Sequence, residues 1–134
     1  MKLRIHSSGE DQDDKMVSFM LVAETDTHKS TLKFYGYHDD FKDFASELEH
    51  FPFQEKGPIV YETGDWKKSA YGLLLKVELV DKAGHIKFTV QTRDATNNES
   101  ALFAGDVEAM SVTELGRKLQ NADFRHKSEI VWQP

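Results

Sequence analysis

The chain has 134 residues, 39% hydrophobic and 30% charged, with 17 Lys plus Arg against 23 Asp plus Glu and no cysteine. That length suits one domain, able to bury about two-thirds of the surface exposed by the unfolded chain. Disulfides, thiolate metal sites, iron–sulfur clusters and thiol nucleophiles are excluded, and a net charge of −6 argues against a general nucleic-acid or anionic-membrane binder.

Lys2 to His6 alternates, with Leu3 and Ile5 on one side, and predicts a first strand. Ser7 to Asp14 is polar and contains Gly9, which predicts a loop. Met16 to Ala23 is too apolar to alternate cleanly and fits a strand buried on both faces. A turn at Thr25 to His28 leads into Ser30 to Tyr37, where Leu32 and Phe34 alternate with Thr31, Lys33 and Tyr35. Three strands joined by short loops predict an antiparallel meander.

The period then changes. Phe41, Phe44, Ala45, Leu48 and Phe51 form one stripe of an amphipathic helix, with Asp39 and Asp40 placed to cap its start and Pro52 to end it. A connection with Gly57, Pro58, Gly64 and Asp65 follows, containing a short strand at Ile59 to Tyr61. Tyr71 to Val80 alternates strictly, Asp81 to Gly84 is a hairpin turn, and Ile86, Phe88 and Val90 face inward on the returning strand. Asp94 to Glu99 is a second turn and Ala101 to Ala109 a further strand. Ser111 and Glu114 fit a capping box opening a helix through Leu119, and Glu129 to Trp132 is a last strand. The expected fold is α+β: a single domain over residues 1–134 with a curved, mainly antiparallel sheet of about seven or eight strands and two helices.

No reaction is written in the residues. Asp11 to Asp14 approaches a calcium loop, but Lys15 and Met16 stand where an EF-hand needs an oxygen ligand and glycine. No two of the six histidines are spaced to share a metal, and His38 beside Asp39 and Asp40 reads as helix-entry polarity. There is no Gly-x-Ser-x-Gly elbow and no glycine-rich phosphate loop, and Asp94 reads as a turn residue. The expectation is a chain that is not an enzyme and carries no catalytic residue, metal or cofactor.

The charge is uneven. Residues 1–67 hold 14 acidic and 8 basic residues, and residues 68–134 hold 9 of each. The excess concentrates at Glu10, Asp11, Asp13 and Asp14, and at Asp39, Asp40, Asp43, Glu47 and Glu49. One reading is ordinary solvated surface. The sharper one is a patch steering a basic protein partner, with Asp39, Asp40, Asp43 and Glu47 as its charges and Phe53 and Trp66 as aromatic anchors. The alternative is a small-ligand carrier using the concave face of the curved sheet. A long edge at Ala101 to Ala109 suits a homodimer. No apolar run approaches the ~20 residues of a membrane span, and Met1 to His6 lacks a signal-peptide apolar stretch. A cytoplasmic chain without nucleic-acid or membrane partners is expected.

The stretch from Thr31 to Leu119 resembles a diffuse group of small bacterial proteins that includes immunity proteins of the WapI type. The resemblance rests on Leu32-Lys33-Phe34-Tyr35-Gly36-Tyr37, on the stripe from Phe41 to Pro52, on the hairpin Leu73 to Arg93 with Gly84-His85 at its turn, and on Glu114-Leu115-Gly116-Arg117-Lys118-Leu119. It implies a protein that binds another protein without performing a reaction, an acidic surface facing the basic cleft of a toxin.

Overall fold

The computed structural model describes residues 1–51, 57–64, 71–81 and 83–134. The first alternating runs form β1 (Lys2–Glu10), β2 (Val17–Glu24) and β3 (Lys29–Gly36), an antiparallel meander. α1 (Lys42–Glu49) leads to β4 (Ile59–Gly64), β5 (Tyr71–Leu79), β6 (Ile86–Asp94) and β7 (Glu99–Val107), which pair in sequence order. α2 (Ala109–Asn121) then returns the chain to β8 (Lys127–Trp132), which pairs with β1.

Among the described residues the α+β class with eight antiparallel strands and two helices stands, but the strands divide into two four-stranded sheets, β3-β2-β1-β8 and β4-β5-β6-β7. The reason is burial. One eight-stranded sheet would offer more apolar face than two helices cover, whereas two sheets cover each other. Leu3, Ile5, Phe19, Leu21, Leu32 and Phe34 of the first sheet and Leu73, Leu75, Val77, Phe88 and Val90 of the second are each at most 1% exposed and belong to one continuous core. Each such side chain contributes about 1.5–3 kcal/mol relative to exposure. Polar ties register the layers: Ser30 and Thr92 hydroxyls bond at 2.8 Å, and the Tyr71 hydroxyl donates to the Tyr35 carbonyl at 3.2 Å.

The helices pack on each other as well as on the core. α1 buries Phe44, Ala45 and Leu48, and α2 buries Val112, Leu115, Gly116 and Leu119. A Cβ at Gly116 would lie 2.7 Å from the Glu49 nitrogen and 2.8 Å from the Ala45 oxygen, so the two backbones meet there. Lys42 Nζ donates to the Gln120 carbonyl at 3.0 Å, near the end of α2, and Trp132 Nε1 donates to the Ser111 carbonyl at 2.8 Å.

Four boundaries differ from the sequence expectations, each for a tertiary reason. Ser7 to Glu10 is strand, because Ser7 and Ser8 continue the ladder against Ser128 and Lys127 and the buried Ser7 hydroxyl donates to the Phe124 carbonyl at 2.8 Å. Asp39 and Asp40 do not cap α1: it starts after Phe41 with no side-chain cap, and Asp40 accepts the Tyr37 N–H at 2.9 Å instead. The Ser111–Glu114 capping box is not made, since α2 begins earlier at Ala109 and Ser111 lies inside its first turn. β7 accordingly stops at Val107. Thr89, expected to face water, is buried on the outer side of β6. The expected helix stop at Pro52 lies outside the described residues. No helix among the described residues is long and apolar enough to cross a membrane.

The β5–β6 turn follows the sequence reading. Asp81 Oδ1 accepts the N–H groups of Ala83 and His85, Gly84 takes φ +91°, and Asp81 Oδ2 meets His85 Nδ1 at 2.5 Å. That carboxylate raises the His85 pKa above its ordinary 6.5, and the imidazole lowers that of Asp81 below 3.8. The histidine contribution is complete below pH 6.5 and is lost as pH rises through the raised value. The aspartate contribution is complete above 3.8 and is lost as pH falls through the lowered one. An NMR titration of His85 should inflect above 6.5 and fall back towards it in Asp81→Asn; an unchanged inflection would rule out the pairing.

Candidate interaction surface

The register of the first sheet decides which loops meet. Glu10 pairs with Val17, and Val17 with Gly36, so the Asp11–Met16 loop and the Tyr37–Phe41 turn leave the sheet at the same end. The segment after α2 joins them through the Glu10 N–H bond to the Arg125 carbonyl at 2.9 Å. The acids of residues 10–14 and Asp39 and Asp40, separated in sequence by a whole hairpin, therefore leave the sheet at the same end.

Within the loop, Asp11 Oδ1 accepts the N–H groups of Asp13 at 2.8 Å and Asp14 at 3.3 Å, and these bonds hold its carboxyl below the ordinary range. Asp14 Oδ1 accepts the Met16 N–H at 2.9 Å, and Lys15 between them takes φ 62°. These carboxylates shape the loop backbone. Among the described residues, no group of three His, Asp or Glu side chains is placed to hold a metal ion.

The expected site residues separate into three roles. Asp39 and Asp43 are exposed and form no ion pair among the described residues. Glu47 is likewise exposed, one turn beyond Asp43 on α1, where it lines a cleft of about 380 Å³ with Phe51, Ile59, Val77, Glu78 and Leu79. Asp40 turns back on the chain: its carboxylate fixes the turn at Tyr37, fills the space beside Gly36 and, secondarily to burial, helps hold the Tyr61 phenol above its ordinary value. Phe53 and Trp66 lie outside the described residues.

Two aromatic residues not singled out as anchors occupy this end. Tyr35 is 60% exposed and Tyr37 50%. Tyr35 walls a cleft of about 560 Å³ together with Glu10, Asp11, Asp14, Met16 and Ser18. The sequence signal was available: Tyr35 shares the outward parity of Thr31 and Lys33 on β3.

Sheet formation also sorts the charges of the first half. The outer face of the first sheet carries Lys2, Arg4, His6, Lys29, Lys33 and Lys127 against Glu24 and Glu129, with Arg4 and Glu129 paired at 3.8 Å. Most cations of the first sheet lie along its strands, while Glu10, Asp11, Asp13 and Asp14 stand at the loop end with Lys15 and Arg125. Nearby, Arg125 bonds Asp123 through both guanidinium Nε and Nη2 at 3.0 Å and pulls its carboxyl down from 3.8 to about 2. That contribution is complete above pH 3.8 and is lost as pH falls through about 2. Asp123→Asn should therefore flatten acid destabilisation between those values. A denaturation series with an unaltered acid limb would rule it out.

The carboxylates held below their ordinary range, Asp11, Asp81 and Asp123, are all exposed turn residues bonded to neighbours close in sequence. They stabilise local structure and converge on no common cleft. Comparison of the chain with family models, with curated proteins and with solved structures finds no match.

Proposed function

We propose that the chain is a non-catalytic protein-binding module of immunity type, whose acidic end engages a cation-rich surface such as the basic cleft of a toxin. The observation that carries this reading is the exposure of Tyr35 and Tyr37 at the end of the sheet where Glu10, Asp11 and Asp14 stand, none of them in a salt bridge among the described residues. Exposed tyrosine offers a rigid ring at low entropy cost, on which an arginine can stack. Exposed carboxylates around it raise the encounter rate with a positive surface and disfavour a negative one. The inner faces of both sheets are filled by side chains such as Phe19, Phe34 and Phe88, so the packing lends no support to a ligand carrier on a concave face.

The test is co-expression with basic toxin domains encoded near its gene, with growth as the readout, followed by stopped-flow association with the domain that is neutralised. Replacing Asp13, Asp39 and Asp43 together by asparagine should slow association several-fold at low salt and little at high salt. Asp40 is left in place because it supports the turn. Tyr35→Ala should act on the dissociation rate, with a loss of about 1–2 kcal/mol. Failure of every basic domain to be neutralised, or association rates independent of salt and of these carboxylates, would remove the proposal.

A further inference from the structure

We propose that β7 is the contact edge of a homodimer in which the second sheets of two copies join into one eight-stranded antiparallel sheet. β7 is the last strand in its sheet and pairs on one side with β6 along all nine residues. Among the described residues, no hydrogen bond outside the sheet ladder reaches Glu99–Val107. Its outer backbone groups are thus available to another strand.

The other three edges carry features that discourage pairing. β3 presents exposed Lys29 and Lys33. β8 is six residues long, with exposed Lys127 and Glu129. β4 is also six residues, follows Pro58 and ends in Gly64 at φ +81°. β7 has no lysine, arginine or proline; its interior runs Ser100-Ala101-Leu102-Phe103-Ala104-Gly105, and Leu102 is 66% exposed.

The occupant is a second copy because the strand is complementary to itself. A strand pairs with its own copy antiparallel about a two-fold axis, which closes after two chains. Full overlap centres on Phe103. It sets Leu102 opposite Ala104 of the second copy on the outer face, Ala101 opposite Gly105, and Ser100 opposite Asp106, whose carboxylate can accept the serine hydroxyl. Glu99 then faces Val107, so no carboxylate meets another across the axis. The surface proposed for a basic partner lies at one end of the other sheet, so either assignment can fail without the other.

Sedimentation equilibrium of the full chain over a wide concentration range should show a concentration-dependent dimer, with slower amide exchange in β7 as the dimer forms. Leu102→Lys and, separately, Ala104→Lys place a charge on the outer face and should each weaken dimerisation at least tenfold with an unchanged circular dichroism spectrum. Met110, 82% exposed but beyond the strand, is the control, and Met110→Lys should leave the mass unaltered. A wild-type monomer at every concentration, an undiminished dimer in both lysine variants, or a dimer lost in Met110→Lys would each overturn the proposal.

Discussion

Phe19→Ala is expected to lower the unfolding free energy by about 3–5 kcal/mol, a large share of the 5–15 kcal/mol typical of a domain. Phe19 sits on β2, an interior strand of its sheet, and is 1% exposed. Its ring stacks on Phe34 at 5.2 Å and meets Phe41 and Phe124 edge-on at 5.5 and 5.3 Å. Those partners come from β3, from the residue before α1 and from the segment after α2, so one ring joins parts of the chain that share no local structure. Phe41 carries the contact onward to the second sheet by stacking on Tyr61 at 4.5 Å. Alanine would leave a cavity bounded by three aromatic rings fixed by other contacts, and such a site collapses poorly. The measurement is the urea midpoint with an unchanged slope. A loss below about 1 kcal/mol would show that the rings repack.

Gly116→Ala is expected to destabilise by about 1–3 kcal/mol, although alanine is favoured over glycine in a helix interior by about 1 kcal/mol. The opposing term is steric. The new Cβ would stand 2.7 Å from the Glu49 nitrogen, 2.8 Å from the Ala45 oxygen and 2.9 Å from Leu48 Cβ. Two of these are backbone atoms of α1 and cannot rotate away, so the helices must part along their whole contact. Gly57, which has nothing among the described residues within 4 Å of an added Cβ, is the control and should accept alanine within about 0.5 kcal/mol. A Gly116→Ala protein at least as stable as the parent would show that the helices separate without loss.

How much was legible follows from the range of the interaction involved. Alternation in Leu73 to Val77 and the stripe Phe41 to Phe51 are local patterns, and they reported strand and helix correctly because burial of one face repeats with the element's period, whereas Leu79, expected on the same buried face, is exposed at the strand end. Asp94 was legible as a turn residue for the same reason: its carboxylate bonds Thr96 and Asn97, two and three positions on. Ser7 to Glu10 differs from its expectation because Ser7 and Ser8 pair with β8, far along the chain, and Glu10 regains the β2 ladder at Val17 only after a register shift. Asp39 and Asp40 show the other limit. A capping residue was present, but the turn at Tyr37 took the Asp40 carboxylate before α1 began.

The candidate surface was half legible. The acids were visible as two clusters, yet nothing in their spacing says that residues 10–14 share an end of the first sheet with Asp39 and Asp40. That depends on Glu10, Val17 and Gly36 lying in one row of the sheet. Nor does proximity in sequence give Asp40 and Asp43 one role, since the first is spent on the backbone and the second faces water.

By itself, then, the sequence determined the α+β class, most of the elements, the exclusion of thiol chemistry and the surplus of six negative charges, because each depends on composition or on a short period. The tertiary structure alone decided that the strands form two sheets, that β8 closes the first beside β1, that the helices touch at Gly116, and that Glu10, Asp11 and Asp14 gather beside Tyr35. These depend on which distant segments bury one another's apolar faces, and that choice is made by the whole chain at once.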